Sequence, residues 1–290
     1  MLAERYFADD PNTALLKLRQ LTELLAQLVA VRVGLYTSRE EAQYDLLRRL
    51  QDQGILPHYK AIYDAATEHV CPFCGTEYFD APGAPREALD HYLAKSRYPF
   101  AAVNLRNLVP MGHKCNSNYK LAVDVLYDAG GVRRVAFDPY NHTKIGVVLD
   151  DSDPFDGSTP NTPRWTIKFD PDAPAVLTWD AVFSIRERYQ RDHLDEGYSA
   201  WLREFRNWAR SADRHGDTDA GLLEALTRFE QYCADNGMRD KAFLKAAVFR
   251  MLRLRCQQGH DRLQAQLRDL LAPPATASAT AASSAPETAA

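Results

Sequence analysis

The sequence predicts an α+β protein in which helical regions flank a central, mostly non-helical segment. Leucines and aromatics recur at helical spacing before residue 66 and again beyond Trp179. From Val70 to about Thr143 that period fails, and short apolar stretches alternate with Pro, Gly, Asn and Asp. The residues able to do chemistry concentrate in this same central segment. The expected organisation is an N-terminal helical module over 1–66, a compact core over 67–145, short strands followed by a helical region over 146–271, and a disordered tail over 272–290.

Asp10-Pro11 precedes Leu15, Leu18, Leu21, Leu25 and Leu28, which share one helical face, and proline at the first helical position lacks only an N–H that would be unpaired there. Gly34 is the expected stop. Ser38 with Glu41 forms a capping box for a second helix carrying Tyr44, Leu46, Leu47 and Leu50, ended by Gly54. A third helix runs from about Pro57 to Glu68, and the three read as a packing or docking module. Beyond the core, Gly146–Leu149, Trp165–Phe169 and Ala175–Thr178 read as short strands. The helical period then returns in Val182, Ile185 and Tyr189, in Trp201, Phe205 and Trp208, in Leu222, Leu226 and Phe229, and in Phe243, Val248, Met251 and Leu254. At that spacing Trp201, Phe205 and Trp208 are core packing rather than a base-stacking platform. The final stretch from Pro273 is Ala, Ser, Thr and Pro with one charge, too small-chained to bury useful apolar area.

Composition narrows the function classes. No apolar run approaches the roughly 18–20 residues of a membrane span, and the first residues lack the basic, apolar and small-residue regions of a secretory signal. A cytoplasmic protein without membrane association is the expectation. The net charge of -4 gives no global attraction to nucleic acid. Any such binding must be local, and Arg86, Lys95, Arg97, Arg106, Lys114 and Lys120 outnumber Glu87 and Asp90 in one window. Five cysteines in a chain of this kind do not suggest a disulfide framework; Cys233 and Cys256 fall in helical patterns as core residues.

Cys71-Pro72-Phe73-Cys74-Gly75 has the two-residue spacing that lets both thiolates reach one ion, and Pro and Gly favour the tight turn of a zinc knuckle. Cys115 offers a third thiolate. Three residues before it, where a fourth cysteine would complete the set, stands Gly112. His113 could serve as the fourth ligand, although its position only two residues from Cys115 is awkward for a tetrahedral site. Water as the fourth ligand, metal-free packing of the thiols, and redox chemistry stay open.

Leu89-Asp90-His91-Tyr92 places a carboxylate and an imidazole side by side at the end of a short apolar segment. Asn107-Leu108-Val109-Pro110 begins sixteen residues after His91, and Cys115-Asn116-Ser117-Asn118-Tyr119-Lys120 places Asn116 nine residues after Asn107. These elements, in this order, resemble the HNH endonucleases, whose ββα-metal motif is a hairpin followed by a helix around one divalent ion. The resemblance covers about residues 71–143. It implies an HNH nuclease core hydrolysing DNA phosphodiester bonds, with Asp90 and Asn116 as ligands of Mg²⁺ or Mn²⁺, His91 as general base, and Asn107 as a structural member of the catalytic set. It also implies a structural Zn²⁺ near the cysteines. Asn116 stands where a histidine is more usual, and Gly112 where a zinc cysteine is.

Elementary chemistry agrees with that division of labour. Phosphodiester hydrolysis needs a deprotonated water on one side of phosphorus and a stabilised oxyanion on the other. An imidazole, with a reference pKa of about 6.5, can take that proton near neutrality, and a hard cation prefers carboxylate and amide oxygens. Asn107 can bond backbone groups of the hairpin loop and so aim His91. Asn116 is expected to start a helix continuing through Tyr119, Leu121, Val123 and Leu126 to Gly130-Gly131, its free N–H groups facing phosphate. Lys95, Arg97 and Lys120 are the expected backbone contacts to DNA. A looser resemblance, in Phe137-Asp138-Pro139-Tyr140-Asn141-His142, is to HNH proteins of bacterial genome-defence systems, and implies an ATPase or other defence protein as partner through the helical regions. The alternatives are a catalytically silent nucleic-acid-binding module and an RNase on the same scaffold.

Overall fold

The computed structural model describes residues 56–66, 68–82, 89–102, 104–141, 144–157, 162–212, 216 and 218–272. The two helices expected before Gly54 and the tail from Pro273 lie outside the described residues, as do Arg86 and His142. The chain divides into two compact units, one made of the sequence up to Val132 with Asp138–Tyr140, the other of Arg133–Phe137 with the sequence from Asn141 on.

In the first unit, α1 (Leu56–Ala65) is the third expected helix, three residues shorter at its end than the sequence suggests. It does not stand apart from the core. Tyr59 is buried with Leu89 and Leu108, and Tyr63 packs against the three; burying the two leucines contributes about 2 kcal/mol each. The Tyr59 hydroxyl also donates to the Asp80 carbonyl at 2.7 Å. Tyr63 also stacks on His69 at 3.9 Å, and α1 falls in the same compact unit as the central segment.

Two very short strands follow, β1 (Asp90–His91) and β2 (Leu108–Val109), antiparallel with Asp90 opposite Val109 and His91 opposite Leu108. Pro110 helps to explain the brevity, since it has no N–H with which to extend the ladder. After β2 the chain enters a helical segment, Lys114–Lys120, wound more widely than an α-helix; the Leu121 N–H reaches back five residues to the Asn116 carbonyl at 3.0 Å. The longer helix expected through Leu126 is corrected here. At Leu121 the backbone turns to φ 46°, and Leu121 and Val123 are exposed. Val125, absent from the expected helical stripe, is the buried residue instead.

The second unit begins with β3 (Gly146–Val148) and β4 (Lys168–Asp170), an antiparallel pair with Val147 opposite Phe169. Residues from Trp165 to Phe169 alternate buried and exposed as a strand should, although only the end of that run is paired. The strand expected at Ala175–Thr178 is instead part of α2 (Pro174–Phe183). Pro174 occupies the first helical turn, and Val176, Trp179, Val182 and Phe183 are buried at helical spacing. Local β-propensity loses there to the burial of Trp179, whose ring meets Phe169 edge-on at 5.0 Å.

Ser184, at φ 49°, breaks α2 from α3 (Ile185–Arg188), which leads through a wider turn, Tyr189–Leu194, into α4 (Asp195–Ser211). Then come α5 (Asp219–Asp235), α6 (Ala242–Gln257) and α7 (Asp261–Leu271). Phe205, Phe229 and Phe249, one from each of α4, α5 and α6, form the centre with ring separations of 4.5–5.2 Å. Trp201 is buried and Trp208 stacks on Phe205, so the aromatic stripe packs inward. Cys233 and Cys256 are buried in the same bundle. Asp150 grips Arg250 of α6 through both carboxylate oxygens, which ties the segment after β3 to the bundle. Among the described residues no helix is long and apolar enough to cross a membrane.

Candidate functional site

Residues 69–79 form a small hairpin: Val70 bridges Tyr78, and the Cys71 N–H donates to the Glu77 carbonyl at 2.7 Å. Its tip is the Cys71–Cys74 turn, closed by the Gly75 N–H on the Cys71 carbonyl at 2.8 Å. Gly75 takes φ 65°, a left-handed conformation that glycine adopts without strain. Cys115 comes in from the helical segment, and the three sulfurs lie within 4.8 Å of one another, all buried. A tetrahedral zinc with Zn–S near 2.3 Å places its sulfurs about 3.8 Å apart, so the trio is close enough together to share one ion. None of the three is in a disulfide. Hydrogen bonds from Cys115 and Cys71 pull the Cys74 thiol far below its usual pKa, while burial pushes Cys71 up. The set fits a soft metal such as zinc. His113, the suggested fourth ligand, is exposed at the start of the helical segment.

On β1, the His91 ring Nε2 is 3.1 Å from the Ala102 carbonyl oxygen. A carbonyl can only accept, so in the neutral ring Nε2 carries the hydrogen and Nδ1 keeps its lone pair. The sixteen-residue excursion between the strands is closed by Asn107. Its Oδ1 accepts from the Leu93 N–H at 2.7 Å, and its Nδ2 donates to the Leu93 carbonyl at 3.1 Å. The Asn107 carbonyl takes the Tyr92 N–H at 2.8 Å. Buried and bonded to both polar groups of Leu93, Asn107 fixes the two residues that follow His91.

Asn116 is half-buried inside the helical segment, its N–H already donated to the Gly112 carbonyl at 2.9 Å. It does not begin the helix, so the expectation of free N–H groups at that position is corrected. One turn on, Lys120 departs further from expectation. Its side chain is 1 % exposed, its ammonium lies 2.7 Å from Asp90 Oδ2, and it donates to the His91 carbonyl at 2.9 Å. The contact with Asp90 is an ion pair without hydrogen-bond alignment, which leaves Oδ2 buried and otherwise unbonded. Lys120 therefore cannot serve as a DNA contact. It bolts the helical segment to β1, bringing the element that carries Cys115 and Asn116 against the Asp90-His91 pair.

Two further cations of the basic window are paired. Arg97 leans on Asp124 at 3.6 Å, and Asp124 is itself held by the Tyr98 hydroxyl. Arg106 pairs with Asp138 at 2.6 Å. Both aspartates come from outside the window in which the positive excess appears. Lys95 and Lys114 are exposed. In the segment after Phe137, Asp138 and Tyr140 serve this unit, the Tyr140 hydroxyl donating to the Leu108 carbonyl.

Two residues of the site escape sequence reasoning. Nothing local distinguishes Lys120 from a solvated helix lysine. Glu77, by contrast, stands three residues after Cys74, the spacing by which Cys74 follows Cys71, and that is a usable signal for another ligand.

Lys120→Met is expected to lower the stability of this unit by about 3–5 kcal/mol, because it strands a buried carboxylate. If Asp90 also binds the catalytic ion, Mg²⁺ restores part of that loss in the variant and hardly affects the parent protein. Thermal unfolding with and without Mg²⁺ measures both; an equal Mg²⁺ response in the two proteins counts against Asp90 as a ligand.

Comparison of the chain with protein-family models, with curated proteins and with solved structures gives no match, so any function must be argued from these residues and their geometry.

Proposed function

We propose that the chain is a metal-dependent DNA endonuclease of the HNH type, with a structural zinc held by Cys71, Cys74 and Cys115. The observation that carries this reading is the convergence on β1. Asn107 pins the chain just beyond Asp90-His91, the hairpin presents His91 with Nδ1 as its basic nitrogen, and Lys120 locks the Asn116 segment onto the same strand.

In this mechanism His91 Nδ1 takes the proton of the attacking water as the water adds to phosphorus opposite the leaving 3′ oxygen. Ala102 holds the other side of the ring and stabilises the imidazolium that results. Asp90 and Asn116 offer oxygen donors suited to Mg²⁺ or Mn²⁺, which when bound would offset charge on the leaving oxygen. Asp90 shares its charge with Lys120, so its hold on the ion is weak and its affinity sensitive to that pair. Lys95 and Lys114 are exposed cations available to DNA phosphates.

The test is incubation of plasmid DNA with the purified chain in Mg²⁺, Mn²⁺ or EDTA, beside an RNA of equal length. Cleavage of DNA that EDTA abolishes is the expected result, whereas preferential RNA cleavage would replace the substrate. A second reading has one observation in its favour: the Lys120 ammonium already neutralises Asp90, as it could in a catalytically silent nucleic-acid-binding module. Binding without cleavage under every metal condition selects that reading.

A further inference from the structure

We propose that Glu77 is the fourth zinc ligand, its carboxylate standing in for the thiolate that Gly112 lacks. The inference rests on the reading that Cys71, Cys74 and Cys115 hold zinc, and adds the residue that closes the site.

The space a side chain at position 112 would fill already contains Glu77. A Cβ placed on Gly112 would meet Glu77 Oε2 at 2.5 Å, Cδ at 2.8 Å and Cβ at 3.0 Å. The gap left in the second half-site is thus filled from the first hairpin. Glu77 Oε2 lies 4.0 Å from Cys74 Sγ; in a tetrahedral site with Zn–S near 2.3 Å and Zn–O near 2.0 Å the sulfur–oxygen separation is about 3.5 Å. The carboxylate is not within 4.8 Å of all three sulfurs, so zinc ligation requires the Glu77 strand and the cysteines to draw closer than they stand.

Its other oxygen, Oε1, accepts the Lys114 N–H at 3.0 Å. That bond fixes the carboxylate for single-oxygen ligation, in the way outer hydrogen bonds orient metal-bound carboxylates. It also links Glu77 to the residue before Cys115, while the Glu77 carbonyl is bonded to the Cys71 N–H. Glu77 is thereby tied to both halves of the cluster. Charge is conserved as well: three thiolates and a carboxylate give Zn²⁺ the same net charge as four thiolates. His113 is exposed and adjacent in sequence to the Gly112 gap rather than inside it.

The experiment uses the full chain loaded with zinc, and reads metal content, X-ray absorption at the zinc edge and retention against a chelator. The expected result is one zinc per chain with three sulfur neighbours and one oxygen. Glu77→Ala should weaken retention at least about tenfold, a loss on the scale of one outer or inner partner of a metal site, and His113→Ala should leave both shell and retention unchanged. The double substitution Glu77→Ala with Gly112→Cys should restore retention with four sulfurs, which keeps the idea testable even if Glu77→Ala alone folds poorly. A wild-type shell and retention in Glu77→Ala overturns the assignment, as does loss of the light neighbour in His113→Ala. Absence of zinc from the parent protein defeats the zinc reading itself, an outcome distinct from zinc bound by three sulfurs and a ligand other than Glu77.

Discussion

His91→Ala is expected to lower metal-dependent DNA cleavage by about 10²–10⁴-fold, the usual cost of losing a general base, while folding and DNA affinity change little. The imidazole is half-buried on β1, and among the described residues its hydrogen bond goes to the Ala102 carbonyl. Its removal therefore takes no packed side chain out of the Tyr59, Leu89 and Leu108 cluster. The hydrogen bond makes the expectation specific: with Nε2 committed to a carbonyl, Nδ1 is the nitrogen left to accept a proton. Single-turnover cleavage, DNA binding and thermal unfolding of the variant, measured together, separate a chemical role from a structural one. Cleavage at the parent rate would remove His91 from the mechanism, and a large fall in melting temperature would make it a structural residue.

Cys115→Ser should release zinc and unfold the first unit at temperatures where the parent chain is intact. Structural zinc sites in small peptides bind with about 10–16 kcal/mol of apparent free energy, so loss of one of three thiolates is expected to cost several kcal/mol. The effect should be largest at this cysteine because it is the only thiolate on the helical segment that also carries Asn116 and Lys120. Without a metal, that segment keeps the Lys120 pair with Asp90, and only the Lys114 N–H bond to Glu77 holds it to the Cys71–Cys74 hairpin by a described contact. The second unit has its own core around Phe205, Phe229 and Phe249, and its unfolding should be unaffected. Calorimetry with elemental analysis checks this, and Cys233→Ser provides a control that keeps zinc. A zinc-free Cys115→Ser protein melting like the parent would reduce the cluster to ordinary packing.

Several elements of this protein are legible without coordinates because their signals are local. The two-residue spacing of Cys71 and Cys74, with Gly75 to close the turn, is a backbone requirement written in consecutive residues. Asn107, an amide just before the apolar pair Leu108-Val109, reads as a group that would bond backbone, and it does so with Leu93. The bundle positions from Val182 to Leu254 follow from helical periodicity, which burial of Phe205, Phe229 and Met251 obeys. At Ala175–Thr178 the local signal misleads, since a short run containing Val and Thr satisfies strand and helix alike. There the choice fell to Trp179 and Phe183, whose burial requires a helix.

What the sequence determined by itself is thus the α+β class, the helical bundle and the residues available for chemistry: three cysteines, Asp90-His91, Asn107 and Asn116. What only the tertiary structure decided is which of these meet, and at what cost in charge. Lys120 is a surface lysine by every local rule, yet it is buried on Asp90, thirty residues earlier in the chain. Within the positive window, Asp124 and Asp138 fold back onto Arg97 and Arg106 and leave Lys95 and Lys114 exposed. Glu77 occupies the place that Gly112 leaves open, thirty-five residues away. The reason is common to all three: periodicity and spacing report on neighbours within a turn or two, whereas charge pairing and ligand completion depend on chain returns set by the packing of α1, the two short strands and the Lys114–Lys120 segment.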